Sequence, residues 1–332
     1  MLREDIKRCL KNTVAPMTLT EFAHLFVNEV SAIEDFYNLC QNKDTGKNIS
    51  LLFNPHRLNT KTDHSDERNS VSLSIYESIK DKGSDIYTEK IDGMARLFLY
   101  NLENNVNDAF YRTVDRGFNG VAKVAEFPPF VARQIYLKYT GMEKRSILDP
   151  CAGWGGRMIG ASSIPNTRYV ACEPCTETYN GLVKLGEWLK SLQPTFDFEI
   201  HHIPYEEFET DEKFDIALTS PPYFSTEHYS DEETDSAHKF PQYDLWVEGF
   251  YTPLIVNTLD RLKENCVFVL NIGDRRYPLT ESMKKICKDN NIFVDREYNY
   301  LKNINEDGEK FYCLYKSKKE YASTICEATK LW

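Results

Sequence analysis

At 332 residues the chain has room for one catalytic domain of ordinary size and a smaller companion. Its 41% hydrophobic and 27% charged composition fits a globular protein in water, and no run approaches the roughly 20 apolar residues of a membrane span. A net charge of −11 argues against a protein that coats nucleic acid non-specifically, although one acidic stretch (Asp231, Glu232, Glu233, Asp235) supplies part of it and a local basic cleft stays open.

The N-terminus, MLREDIKRCLKNTV, lacks the apolar core of a secretory signal, so an intracellular location is expected: cytoplasmic, or nuclear for a eukaryotic or viral source. Residues 1–120 read as mainly helical. LTEFAHLFVNEVSAIEDFYNLC (19–40) sets Phe22, Leu25, Phe26, Val30 and Ile33 near helical spacing, and a second run over about 88–112 does so with Met94, Leu97, Phe98 and Leu102. Between them NPHRLNTKTDHSDERNS (54–70) is polar and rich in turn formers, hence a loop.

From about residue 127 apolar strand-like runs alternate with helical ones. The strands expected are RSILDP (145–150), RYVACEP (168–174), FEIHHI (198–203), FDIALTS (214–220), CVFVLNI (266–272) and IFVDREYNYL (292–301). Helices are expected over about 154–163, 176–192, 243–263 and 279–290. This alternation means an α/β domain with a mostly parallel sheet, assigned here to residues 121–332, whose ligands bind at the carboxyl ends of the strands. Nine scattered cysteines do not make a disulfide scaffold in a chain of this kind. Cys172 and Cys175 form a lone CxxC without a second pair, and His228 and His238 have no companions at ligand spacing, so no metal site is expected.

The unusual residues fall just after the strand runs. Asp149-Pro150-Cys151-Ala152-Gly153-Trp154-Gly155-Gly156-Arg157 precedes a helix, and its glycines let backbone turn tightly and approach a ligand. Such a turn alone also serves dinucleotide enzymes. Glu173 ends the next strand, where an acid can grip ribose hydroxyls. After the fourth strand comes Ser220-Pro221-Pro222-Tyr223-Phe224. The prolines stiffen the turn and leave carbonyls that no ladder consumes. Acceptors at Ser220 and Pro221 could localise the lone pair of an amine conjugated to a ring, and Tyr223 offers a planar face for stacking. The stretch 224–242 is read either as a lid beside the site or as a solvated acidic linker.

Asp-Pro-Cys-Ala-Gly-Trp-Gly-Gly followed by Ser-Pro-Pro-Tyr resembles the S-adenosylmethionine-dependent amino-methyltransferases of nucleic acids, which make N4-methylcytosine or N6-methyladenine. The resemblance covers roughly residues 115–300. It implies a Rossmann-like class I methyltransferase sheet with helices on both faces and an antiparallel last strand. It also implies S-adenosylmethionine as cofactor, held by Phe127 and Pro128, by Asp149, Pro150, Cys151, Ala152, Gly153 and Gly155, and by Glu173. Ser220, Pro221, Pro222 and Tyr223 would form the catalytic turn and DNA would be the substrate. Cys151 needs no nucleophilic role in a direct transfer.

Ser at the first position of the catalytic motif leans toward cytosine N4, whereas the motif order is commoner among adenine enzymes; cytosine is the expectation. By elimination residues 1–120 would recognise the substrate, with Arg57, Lys61 and Arg68 as candidate phosphate contacts. Alternatives are an RNA base amino-methyltransferase, a protein-glutamine methyltransferase, and a non-catalytic nucleic-acid-binding scaffold.

Overall fold

A computed structural model describes residues 18, 20–21, 27–59, 61–62, 126–140, 144–274, 276–298 and 310–328. The second helical run expected near 88–112 and Arg68 lie outside the described residues, as do Phe22, Leu25 and Phe26. Two compact units divide the chain: Met1–Glu34 with Asn48–Ala125, and Asp35–Lys47 with Glu126–Trp332. Helix α1 (Glu29–Cys40) runs across the first boundary. Its buried stripe is Ala32, Phe36 and Leu39, at i, i+4 and i+7, while Val30 is 76% exposed. The expected apolar face is therefore rotated away from Val30. In the first unit, single helical turns Ile49–Leu52 and Pro55–Asn59 follow, and the Arg57 guanidinium donates to Ser50 Oγ at 2.7 Å.

The second unit is built on seven strands: β1 (Arg145–Asp149), β2 (Thr167–Cys172), β3 (Asp197–His201), β4 (Phe214–Thr219), β5 (Leu262–Ile272), β6 (Phe293–Tyr298) and β7 (Lys310–Tyr315). Their order in the sheet is 3-2-1-4-5-7-6. Strands 1 to 5 pair in parallel, and β7 inserts antiparallel between β5 and β6. This is the Rossmann-like methyltransferase fold. Strands 1, 2 and 4 are buried on both faces, hence their continuous apolar runs.

One face of the sheet packs Leu148, Val170, Ala217, Phe268 and Leu270 against Trp246, Phe250, Tyr251 and Leu254. These four belong to a continuous helical run made of α6 (Tyr243–Trp246), a π turn (Val247–Tyr251) and α7 (Thr252–Asp260). Helix α8 (Leu279–Asp289) adds Leu279, Met283 and Ile286 to the same core. On the other face lie α2 (Pro129–Thr140), α3 (Gly156–Ser162) and α4 (Thr176–Leu192). There Tyr139 meets Cys313 of β7 at 3.3 Å, and Gly186 of α4 lies so close to Phe198 of β3 that a Cβ would come within 2.4 Å of the ring. Helix α4, with Cys175 as its N-cap, buries Leu182, Leu185 and Leu189 at helical spacing.

Two boundaries differ from the sequence reading. The helix expected to reach 263 ends at Asp260, because Leu262 already pairs with Phe214 of β4. A register shift follows that pair, and Asn265 absorbs it with φ at 59°. The antiparallel last strand that the resemblance implies is β7, which none of the expected strand-like runs marked, and helix α9 (Lys318–Ala328) was not expected. Among the described residues no helix is long and apolar enough to cross a membrane.

Candidate active site

The order 3-2-1-4 puts the exits of β2, β1 and β4 side by side, at the place where successive connections turn to opposite directions of the sheet. Glu173, the glycine loop and Ser220–Tyr223 leave those three exits. Residues far apart in the chain thus share one rim of the sheet.

The glycine loop is fixed from beneath. Asp149 is fully buried, and its carboxylate accepts from Arg157 Nε at 2.7 Å, Tyr169 Oη at 2.6 Å and Thr219 Oγ1 at 2.9 Å. Thr219 Oγ1 also accepts from the Cys151 amide at 3.2 Å, so β1 and β4 are tied together where both end. Arg157 donates to the Cys151 carbonyl and lies 5.3 Å from the Phe127 ring centroid, cation over aromatic face. Asp149 is thus committed to the loop's own architecture. Of this quartet, Arg157 lies in the glycine motif, while Tyr169 and Thr219 carry no motif of their own; a buried acid at a strand end, needing donors, is the signal that points to them.

Glycine is required here for two different reasons. At Gly156 a Cβ would lie 2.1 Å from the Phe127 carbonyl oxygen, so the segment Phe127–Pro128 packs directly on the start of α3. Gly153, with φ at 55°, faces open space: nothing lies within 4 Å of where a Cβ would stand. The first glycine closes the loop onto the preceding segment, whereas the second leaves a cradle above it. Pro150 and Ala152 are buried in the loop's turn, the Ala152 amide donating to the Cys172 carbonyl at 3.0 Å. Cys151 is half-buried, and burial holds its thiol well above the usual range, which keeps it protonated.

Glu173 is 8% exposed. Burial raises its carboxyl to about 8, against the pull of the Cys175 and Gly153 amides, the former at 3.0 Å from Oε1. An acid held this far from its ordinary value at a strand exit suits a ligand that brings hydrogen-bond donors. Gly153's open cradle and Glu173's buried acceptor together fit an adenosyl group. Among the described residues no three His, Cys, Asp or Glu side chains are placed to hold a metal ion.

At the β4 exit Ser220 and Pro222 are half-buried and Pro221 is buried. Tyr223, expected to present a stacking face, is only 4% exposed and belongs to the core cluster with Trp246 and Tyr251. Its ring is therefore covered in this conformation. Phe224 follows with φ at 53°, left-handed backbone that a phenylalanine rarely adopts.

The stretch after Phe224 is a docked strap rather than a solvated linker. Tyr229 rests on Trp154 of the glycine loop, ring centroids 5.7 Å apart. Glu232 accepts from the amide and the hydroxyl of Thr176, both at 2.9 Å, so its carboxylate caps the positive end of α4. Thr234 reaches the Pro174 carbonyl at 3.4 Å, and Asp235 caps helix α5 (Ser236–Lys239) through the Ala237 amide. The strap leaves β4, passes the β1 loop at Tyr229 and reaches the β2 exit at Glu232. His238 meets the Glu232 carbonyl at 3.2 Å, inside the strap.

No protein-family model matches the chain, and no curated protein matches it. Among solved structures it is similar to a methyltransferase from Pyrococcus furiosus, at 16% identity and a TM-score of 0.41, covering 57% of this chain and 84% of that one. An rRNA methylase from Streptococcus thermophilus is similar at 14% identity and a TM-score of 0.39, covering 59% and 100%. Magnesium protoporphyrin IX methyltransferase from Synechocystis PCC 6803, solved with bound S-adenosylmethionine, gives 10%, 0.39, 56% and 76%. At these identities the substrates of the similar proteins say nothing of this chain's.

Proposed function

We propose that this chain transfers a methyl group from S-adenosylmethionine to the exocyclic amino group of a DNA base, cytosine N4 ahead of adenine N6. The observation that carries the reading is the convergence of Glu173, the Gly153 cradle and Ser220–Tyr223 on three adjacent strand exits. Glu173 would accept from the ribose hydroxyls, the glycine loop would run beside the adenosyl group, and Phe127–Pro128 would flank its amino-acid end. Bound there, the cofactor supplies a methyl group activated on a sulfonium.

The chain's part in the chemistry is to prepare the amine. An exocyclic amine is a weak nucleophile because its lone pair is shared with the ring. Ser220 Oγ and the Pro221 carbonyl accept its hydrogens and confine that lone pair, and the paired prolines hold both acceptors in place without reorganisation. Tyr223 serves as stacking face only once its ring leaves the core cluster that now covers it. The protonated thiol of Cys151 fits a direct transfer without a covalent enzyme–base adduct.

The test is expression in a host devoid of DNA methylation, followed by digestion and mass spectrometry of the nucleosides, with Tyr223→Ala alongside. N4-methylcytosine or N6-methyladenine found only with the unaltered protein supports the reading and identifies the base. Unmodified DNA together with methylated RNA moves the substrate to RNA. Failure to bind the cofactor at all would leave a scaffold with a methyltransferase fold.

A further inference from the structure

Between the β4 and β5 exits lies a contact that the proposed chemistry does not use. Tyr277, in the loop between β5 and α8, is half-buried, and its hydroxyl is 2.8 Å from Ser225 Oγ. Its ring meets Phe224 edge-on at 4.9 Å and 82°, and stacks on Tyr243 at 5.0 Å and 17°. Tyr243 is in turn anchored through its hydroxyl to Ser282 Oγ at 2.9 Å. Phe224 and Ser225 are the two residues that follow Ser220–Tyr223, and Phe224 is in left-handed backbone. A phenylalanine stays in that conformation only when its surroundings over-determine it. Here Tyr243, Trp246 and Tyr277 seat the ring, while the Tyr277 hydroxyl holds the next residue.

We propose that Tyr277 is a positioning residue: it latches the backbone leaving the Ser-Pro-Pro-Tyr turn and so fixes where Ser220 and Pro221 aim their acceptors. The proposal rests on the reading that this turn holds the substrate amine. Small displacements at such a turn matter because the acceptors must meet hydrogens fixed on a planar ring. Tyr277 reaches the turn from the neighbouring strand exit, so the latch also ties the β5 loop to the β4 loop. Its hydroxyl acts on Ser225 and never on the substrate.

Tyr277→Phe removes one oxygen and keeps the ring packing. The expected result is a kcat lowered about tenfold or more on unmethylated plasmid DNA, with KM and cofactor affinity unchanged and the melting temperature within a degree or two. Hydrogen exchange should rise at the Thr226 amide, which now donates to the Tyr223 carbonyl at 3.2 Å. Ser225→Ala should reproduce both effects, and the double variant should be no worse than either single one. Phe224→Gly, which adopts left-handed backbone freely, should make the further loss of the Tyr277 hydroxyl less costly.

Unchanged kcat and unchanged exchange in Tyr277→Phe would overturn the latch. So would a parallel fall in melting temperature and cofactor affinity, which marks simple packing. Should the unaltered protein methylate neither DNA nor RNA, the functional reading fails on its own. Raised exchange at residues 223–226 in Tyr277→Phe would then still support the latch, and unchanged exchange would overturn it.

Discussion

Glu173 is held where burial and chemistry pull in opposite directions. Water is largely excluded from its carboxyl, yet two backbone amides point at it, and the balance leaves it near 8. The sign of the consequence is fixed. A carboxyl raised in the folded state contributes stability that is present below its unfolded value of about 4.5 and is lost as pH rises through about 8. The ligand-free protein should therefore lose stability between those limits, and Glu173→Gln should flatten that part of its melting profile. Ribose donors favour the ionised form, so adenosyl binding near pH 7 should release a proton, and affinity should rise with pH up to about 8. Calorimetry in buffers of different ionisation enthalpy reads the proton directly; a release of zero, with Glu173→Gln binding as tightly as the unaltered protein, would remove Glu173 from the cofactor site. The position of Glu173 was legible in the sequence because it ends an apolar run. The saturation of Asp149 by Arg157, Tyr169 and Thr219 was not, since it joins side chains 8, 20 and 70 positions away through the sheet register.

At the scale of elements, the strap has the sharpest consequence. Glu232 caps α4 from a segment that begins at the β4 exit, so any motion lifting the strap off the glycine loop competes with this cap and with the Tyr229–Trp154 contact. The Glu232 carboxylate is half-exposed, which limits the cap to about 1 kcal/mol. Glu232→Ala should then speed cofactor release about fivefold, the same energy expressed as a rate, with little change in melting temperature. Stopped-flow displacement checks this, and an unchanged release rate would mean that the strap does not cover the cofactor. Five of the seven strands were legible, β1, β2 and β4 most directly because strands buried on both faces are continuous apolar runs, whereas β5 begins at Leu262, before its expected start at 266. The sixth was legible too, but its neighbour in the sheet was not. KFYCLY follows Asp307-Gly308, a hairpin signal obscured by the long polar stretch around it, and its insertion between β5 and β6 is a property of topology that no local pattern carries. The strap's docking was open between lid and linker for the same reason: an acidic loop looks alike whether its carboxylates meet water or a helix terminus.

For the whole molecule the proposed DNA substrate raises the question of how a chain of net charge −11 would meet a polyanion. Long-range attraction cannot come from the total charge, so any affinity for nucleic acid must be local, short-ranged and dependent on a few cations. The acidic strap makes this stricter, because Asp231 and Glu233 are exposed beside the proposed site. Of the cations proposed to read phosphates, Arg57 already donates to Ser50 Oγ and is half-buried, which commits it to its own unit. If the chain binds DNA as proposed, Lys61 and Arg68 are the remaining candidates for phosphate contacts. Replacing both with Gln should weaken DNA binding and flatten its salt dependence, by about 0.9 in the slope of log K against log salt for each phosphate no longer neutralised. Cofactor affinity should be unaffected, since S-adenosylmethionine is proposed to bind at the exits of β1 and β2 in the other unit. The measurement is a fluorescence-anisotropy titration of a labelled duplex at several salt concentrations. A slope unchanged in the double variant would take residues 54–70 out of substrate recognition and return that role to the rim of the sheet itself, where strap and Ser220–Tyr223 turn would have to read the base without help from phosphate contacts.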